Sequence, residues 1–159
     1  MTAIIIYYSY SGNTKKVADV LSSYLGNKYE VAVSRLEAPE ESSSFAKQAV
    51  RALLRKRVNI SNTETDLSSY DLICLGTPVW AFAPAPAMNT YLDQCAGLDG
   101  KQVAIFTTYG SGTGVSRCVD YMCNVLSKKG AKDSKVFSIQ QAKVNDEEFV
   151  KKVISKNIE

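Results

Sequence analysis

Hydrophobic and polar residues follow two alternating patterns along this chain. Continuous apolar, β-branched runs are typical of strands buried on both faces, and apolar residues that recur every three or four positions are typical of amphipathic helices. The predicted strands cover residues 3–8, 29–33, 71–76, 102–107 and 135–139. The predicted helices cover residues 14–25, 40–57, 87–94, 115–126 and 145–157.

The ends of several predicted helices carry their own signals. Gly26 follows the first helix, and Gly130 can take the left-handed conformation that ends the fourth. Asn145 is the predicted N-cap of the last helix, with Glu148 three residues later as in a capping box. The chain contains no repeat of fixed period and no linker rich in Gly or Ser, so residues 1–159 are predicted to form a single domain.

Strict alternation of strand and helix predicts the α/β class, with a parallel sheet between two layers of helices in a three-layer doubly wound sandwich. Ligands of such folds bind beyond the carboxyl ends of the strands. The loops at residues 9–14, 77–82 and 108–113 follow the first, third and fourth predicted strands. These three loops are therefore the candidate functional segments.

Composition excludes several classes of function. The 159 residues are 45% hydrophobic and 22% charged, with a net charge of +3, which is too weak to indicate nucleic acid binding. The apolar runs are too short to span a membrane, and we expect no signal peptide and a cytoplasmic location. Because histidine is absent, His-based catalysis and imidazole metal sites are excluded. No metal site is predicted, and free thiols are expected at Cys74, Cys95, Cys118 and Cys123.

The loop at residues 9–14 has the composition of an anion site. It joins a buried strand to a helix, whose N-terminus presents unpaired N–H groups and a partial positive charge. It contains no Lys and lacks the GxGxxG pattern, so neither a nucleoside triphosphate loop nor a dinucleotide fingerprint is present. The alternative is a helix cap within a polar turn. The residues are Ser9, Tyr10, Ser11, Gly12, Asn13 and Thr14.

This loop, with Tyr8 before it and Val17-Ala18 after it, resembles the phosphate loop of the flavodoxin family. The resemblance covers essentially the whole chain, in the short-chain form of the family. It implies a five-stranded sheet in the order 2-1-3-4-5 and FMN as the cofactor, with the 5′-phosphate held by residues 9–14. The receiver domains that share this fold need acidic residues where this chain has Ser9-Tyr10 and Thr77-Pro78, so a receiver domain is not predicted.

The other two candidate loops resemble the flavin-contacting segments of that family. Trp80 could stack on the flavin ring, or it could pack on a neighbouring helix. The glycines of the last loop would let backbone N–H groups approach the pyrimidine edge of the ring, the alternative being a flexible turn. The first segment is Thr77, Pro78, Val79 and Trp80, and the second is Thr107, Thr108, Tyr109, Gly110, Ser111 and Gly112.

Two departures from the family pattern affect the expected redox behaviour. Many flavodoxins have a glycine after strand three, whose peptide flips to bond the reduced flavin, but Val79-Trp80-Ala81 contains none. The three loops also lack the acidic residues that surround the flavin in typical flavodoxins. Both departures argue against a very low potential for the fully reduced flavin.

The resemblance implies a low-potential electron carrier between redox enzymes, without a catalytic side chain. The alternatives are an FMN-dependent NAD(P)H:quinone-type oxidoreductase, with a ledge near Phe82, and a non-redox module that binds another phosphate. The predicted partners are redox proteins and the predicted state is a monomer. The second predicted helix is basic, which is typical of a solvated face but would also suit an acidic partner docking near the FMN edge. Its basic residues are Lys47, Arg51, Arg55, Lys56 and Arg57.

Overall fold

A computed structural model describes residues 1–39, 44–61 and 63–158, without the side chains of Phe45, Gln48 and Leu53. The strands are β1 (Thr2–Tyr7), β2 (Glu30–Arg35), β3 (Leu72–Trp80), β4 (Ala83–Pro84), β5 (Gln102–Tyr109) and β6 (Asp133–Gln140). The helices are α1 (Asn13–Leu25), α2 (Phe45–Leu53), α3 (Pro86–Gln94), α4 (Val115–Lys128) and α5 (Glu147–Ile158). A 3₁₀ turn, Gln141–Lys143, follows β6.

The main sheet is parallel, with strand order β2-β1-β3-β5-β6. The short β4 lies off this path and pairs antiparallel with the end of β3. When β4 is set aside, the order is the predicted 2-1-3-4-5. The predicted α/β fold class is therefore confirmed.

Two apolar clusters lie on opposite faces of the sheet. The residues of β1 alternate between them, Ile4 and Ile6 on one side and Ile5 on the other, which explains the continuous apolar run of this strand. Helices α1 and α5 cover one face, and α3 and α4 cover the other. No helix within the described ranges is long and apolar enough to cross a membrane.

The structure corrects the predicted loop that begins at Thr77. Residues 77–80 continue β3, because the chain reverses at Ala81 and Phe82 and β4 supplies antiparallel partners, Val79 opposite Pro84 and Trp80 opposite Ala83. Ala81 and Phe82 both have positive φ angles, 46° and 68°. This is the handedness that two-residue hairpin turns require.

The predicted helix over residues 40–57 is too long. Helix α2 ends at Leu53, and Arg55 then takes a positive φ of 50°. Arg55, Lys56 and Arg57 therefore follow the helix, and residues 40–43 lie outside the described residues.

The predicted N-cap of the last helix is also wrong. Asp146 has this role, since its Oδ1 accepts a hydrogen bond from the Phe149 N–H at 3.0 Å. The side-chain oxygen of Asn145 instead accepts a hydrogen bond from Lys16 Nζ at 2.8 Å. The prediction of free thiols is confirmed, as three cysteines are buried and Cys123 is half-buried.

Candidate functional site

The first candidate loop forms an open cradle at the N-terminus of α1. Gly12 caps the helix with a φ of 90°, and a Cβ there would meet no atom within 4 Å. The Lys15 N–H donates to Ser9 Oγ at 3.2 Å, and the Lys16 N–H donates to the Gly12 carbonyl at 3.1 Å. The N–H groups of Asn13 and Thr14, which lack intrahelical acceptors, are therefore left for a ligand. The first turn carries no acidic residue.

The cradle is braced from two sides. Thr14 and Thr108 are both buried, and their hydroxyl oxygens lie 2.8 Å apart, which joins the start of α1 to the end of β5. Arg35, the last residue of β2, donates from Nη2 to the Ser9 carbonyl at 3.0 Å. The loop is thus held by one side chain from β2 and one from β5.

Two lysines of the first helical turn make contacts away from the loop. Lys15 Nζ lies 2.6 Å from Asp19 Oδ2, and this hydrogen bond raises the pKa of the exposed Lys15 side chain. Lys16 Nζ bonds to Asn145 across to the α5 region. The anion-binding character of the loop therefore rests on its backbone N–H groups and the helix dipole.

An aromatic cluster stands beside the loop. Trp80 makes edge-to-face contacts with Tyr8 and Tyr10, each with ring centroids 5.7 Å apart. Trp80 is only 4% exposed, whereas Tyr10 is 40% exposed. Trp80 is therefore a buried strand residue and not a loop residue, because the hairpin with β4 extends β3 through it. Tyr10 is the aromatic side chain that faces solvent here.

A cleft of about 280 Å³ lies between the first loop and the ends of β3 and β5. It brings together residues from all three predicted segments and contains no acidic side chain. Its lining residues are Tyr10, Ser11, Thr14, Pro78, Trp80, Thr108 and Gln141.

Two predicted site residues use their hydroxyls within the protein. Thr77 Oγ1 donates to the Pro78 carbonyl and accepts from the Ala85 N–H, both at 3.0 Å, and so fixes the chain after the hairpin. Thr107 Oγ1 lies 2.7 Å from Ser138 Oγ on β6. Both threonines are fully buried and neither lines the cleft.

The remaining predicted residues do not line the cleft. Asn13 Nδ2 donates to Ser11 Oγ at 3.2 Å, which orders the loop. The Gly110 carbonyl accepts from Gln140 Nε2 at 3.2 Å. Further residues of this kind are Ser9, Gly12, Val79, Tyr109, Ser111 and Gly112.

Two contributors lie outside the predicted segments. Gln141 lines the cleft and Arg35 braces the loop. Each lies at the carboxyl end of a parallel strand, β6 and β2, and this position was a signal available from the sequence. The described ranges contain no group of three or more His, Cys, Asp or Glu side chains that could hold a metal ion.

The family model for flavodoxin matches residues 2–153. The chain belongs to the flavodoxin family. FMN is the cofactor that membership of this family indicates, which confirms the predicted cofactor.

Three solved structures are similar to this chain in fold. A flavoprotein from Lactobacillus acidophilus NCFM, crystallised with FMN, is 25% identical over 92% of this chain and 98% of its own, with a TM-score of 0.64. Oxidised flavodoxin 1 from Bacillus cereus is 19% identical, covers 98% of each chain and has a TM-score of 0.63. An NADH:FMN oxidoreductase in its apo form is 16% identical over 98% of this chain and 88% of its own, with a TM-score of 0.66.

The donor set of this family member fits the phosphate of FMN. A phosphate monoester needs N–H and O–H donors and no nearby carboxylate. The loop offers the N–H groups of the α1 terminus and short hydroxyl side chains, and the side-chain-free face of Gly12 leaves space for the group. The aromatic and proline side chains of the adjoining cleft suit a flat ring.

Proposed function

We propose that this flavodoxin-family protein is an FMN-dependent electron carrier that passes electrons between redox proteins. One observation carries the proposal. The open N-terminus of α1, capped by Gly12, adjoins a cleft of about 280 Å³ with aromatic walls and no acidic lining. FMN supplies the electron-transfer chemistry when it is bound, and the protein supplies binding, orientation and electrostatics.

The phosphate would be held by the 9–14 loop. The N–H groups of Asn13 and Thr14 and the hydroxyl of Ser11 are the donors at its open side. Ser9 instead stabilises the first turn through the Lys15 N–H. Arg35 contributes by fixing the Ser9 carbonyl, so its effect on the phosphate would be indirect.

The flavin ring would lie in the adjoining cleft. Tyr10 is the exposed aromatic wall, and Trp80, which also lines the cleft, packs edge-to-face against it. Pro78 and Thr108 end the two central strands at the cleft. The glycine loop at residues 110–112 remains a predicted flavin-contacting segment.

The charge of the site would affect the potential. A reduced flavin gains negative charge, and neighbouring carboxylates would oppose that gain. None of the residues that line the cleft is acidic. We therefore expect the fully reduced form to be less disfavoured here than in a site surrounded by Asp and Glu.

The test is titration of the purified apoprotein with FMN and, separately, with riboflavin, which lacks the phosphate. Binding of FMN should quench the fluorescence of the flavin and that of Trp80, the single tryptophan. Riboflavin should bind much more weakly. Gly12→Ala should weaken FMN binding. Gly100→Ala is the matched control, because Gly100 also has a positive φ (69°) and open space at its Cβ position. Gly100 precedes β5 and so lies at the amino ends of the strands, away from the cleft. Equal binding of riboflavin and FMN, or no binding of either, would overturn the proposal.

A second function, an FMN-dependent NAD(P)H:quinone-type oxidoreductase, is favoured by the same absence of acidic lining, since an anionic nucleotide would not be repelled. Anaerobic mixing of the FMN-loaded protein with NADPH or NADH separates the two functions. Rapid bleaching of the flavin, with turnover on adding a quinone, would indicate the oxidoreductase. A flavin that only dithionite or a reductase protein can reduce would indicate the carrier.

A further inference from the structure

An exposed patch beside the candidate flavin cleft combines apolar and basic side chains. Three of its large apolar residues are unusually exposed, Val50 at 56%, Leu54 at 60% and Phe82 at 38%. Arginines surround them. We define the Phe82 patch as Val50, Arg51, Leu54, Arg55, Phe82 and Arg117.

The arginines of the patch lack acidic partners within the described residues. Arg55 and Arg117 share a cleft of about 230 Å³ with Leu54 and Phe82, and no acidic side chain lines it. The Arg117 guanidinium lies 5.9 Å from the centre of the Phe82 ring. By contrast, the nearby Arg57 forms a salt bridge with Asp93 and is therefore excluded from the patch. Among the described residues, the patch thus carries positive charge without a paired carboxylate, around an apolar centre.

The backbone holds Phe82 in this exposed position. Ala81 and Phe82 both occupy the left-handed region, which residues with side chains seldom adopt. Gly114, at a φ of 85°, packs against Phe82 so closely that a Cβ there would lie 2.4 Å from the Phe82 ring. The turn thus keeps two residues in the left-handed region while the Phe82 ring stays partly in solvent. Backbone strain of this kind is typical of sites that bind another molecule.

The patch borders the candidate flavin cleft through the same two segments. Trp80 lines that cleft and is joined to Phe82 through Ala81. Gly114 directly follows the loop at residues 108–113, which begins at the cleft residue Thr108. A protein bound on the patch would therefore lie beside the edge of the flavin.

We propose that the Phe82 patch docks the acidic face of a redox partner protein. This inference rests on the proposed carrier function and names the partner's chemistry. Interfaces commonly place an aromatic anchor at the centre and charged groups around it, and arginine forks bind carboxylates in pairs. Complementary charge would also accelerate the encounter in a salt-sensitive way.

The probe is a fluorescein-labelled peptide of repeated glutamate and leucine residues, with a glutamine analogue as its uncharged control. Binding is measured by fluorescence anisotropy on the apoprotein and on the FMN-loaded protein, at low and high ionic strength. The Arg55→Gln/Arg117→Gln double variant should weaken binding about tenfold or more. Phe82→Ala should weaken it as well. The Lys28→Gln/Lys132→Gln double variant makes the same change in net charge. Its two residues precede β2 and β6, at the amino ends of the strands and away from the patch, so this variant should bind like the native protein.

Three results would overturn the docking proposal. The two double variants could lose affinity equally, which would indicate attraction by net charge alone. The glutamine analogue could bind as well as the acidic peptide. NADPH could displace the peptide and be oxidised, which would assign the patch to a small anionic substrate.

A failure of the carrier function would be seen separately. Flavin fluorescence quenching on the same variants measures FMN binding without the peptide. Normal FMN binding, with no preference for the acidic peptide over its glutamine analogue, would refute the docking proposal alone. If FMN does not bind, the proposed carrier function is refuted. Binding of the acidic peptide to the apoprotein would still show whether the patch selects carboxylates.

Discussion

The buried pair of Thr14 and Thr108 offers a sharp test of how the site is held together. Their hydroxyl oxygens lie 2.8 Å apart, and the two residues are 1% and 0% exposed. The pair joins the first turn of α1 to the carboxyl end of β5, the elements that form two walls of the candidate cleft. Replacing either threonine by valine keeps the shape of the side chain and leaves the other hydroxyl without this partner.

The expected cost follows from that loss. A buried hydroxyl left unsatisfied costs about 1–3 kcal/mol, whereas replacing both partners by apolar groups of similar shape can be nearly neutral. Thr14→Val and Thr108→Val should therefore each lower the free energy of unfolding by about 1–3 kcal/mol. The double variant should lose clearly less than the sum of the two, with a coupling of about 0.5–3 kcal/mol.

Urea unfolding of the apoprotein, followed by Trp80 fluorescence, measures all of these variants without the cofactor. Thr113→Val is the control, because this threonine is exposed and should change stability little. Additive costs in the double variant would refute the reasoning. They would mean that each hydroxyl has its own solvent partner and that the observed pair is not the interaction that stabilises this junction.

Three further changes follow from the packing. Gly76→Ala should lower the free energy of unfolding by about 2–3 kcal/mol in a urea titration, because its Cβ would lie 2.1 Å from the ring of Phe106. Ala81→Gly should raise the melting temperature, since a glycine relieves a left-handed residue of about 1 kcal/mol of strain. Burial raises the pKa of Cys74 and Cys118 to about 12, above the unfolded value of 9.0. Their contribution to stability is full below about pH 9 and is lost as the pH rises towards 12, because in this range only the unfolded thiols ionise. The free energy of unfolding measured in urea should therefore fall from pH 9 to 10.

Each of these expectations has a matched control. Gly110→Ala should be tolerated, since the nearest atom to its Cβ position is 4.0 Å away, and an equal loss there would contradict the steric account of Gly76. A Gly114→Ala variant should be destabilised where Ala81→Gly is stabilised, because its Cβ would meet Phe82. Cys118→Ala should make the loss of unfolding free energy between pH 9 and 10 smaller, and an unchanged loss would mean that ionisation of the Cys118 thiol does not contribute to it.

Much of this protein could be predicted from local patterns. The apolar run of β1 is buried on both faces, so its continuity alone identified a central strand. Gly12 and its polar neighbours predict an anion loop, because a helix terminus exposes its N–H groups wherever it occurs, and Gly12 does lie at the N-terminus of α1. The strand order was implied by the resemblance to the flavodoxin family, and local patterns alone did not provide it.

Tertiary structure decided the rest. Trp80 looked like a loop residue, yet pairing with Ala83 extended the strand and buried the ring. Gln141 reached the cleft only because β6 ends beside β5. Periodicity and capping are properties of neighbouring residues and can be seen in the sequence. Strand extension, the sharing of hydroxyls and the grouping of side chains at one edge of a sheet depend on contacts between distant segments, and these exist only once the chain has folded.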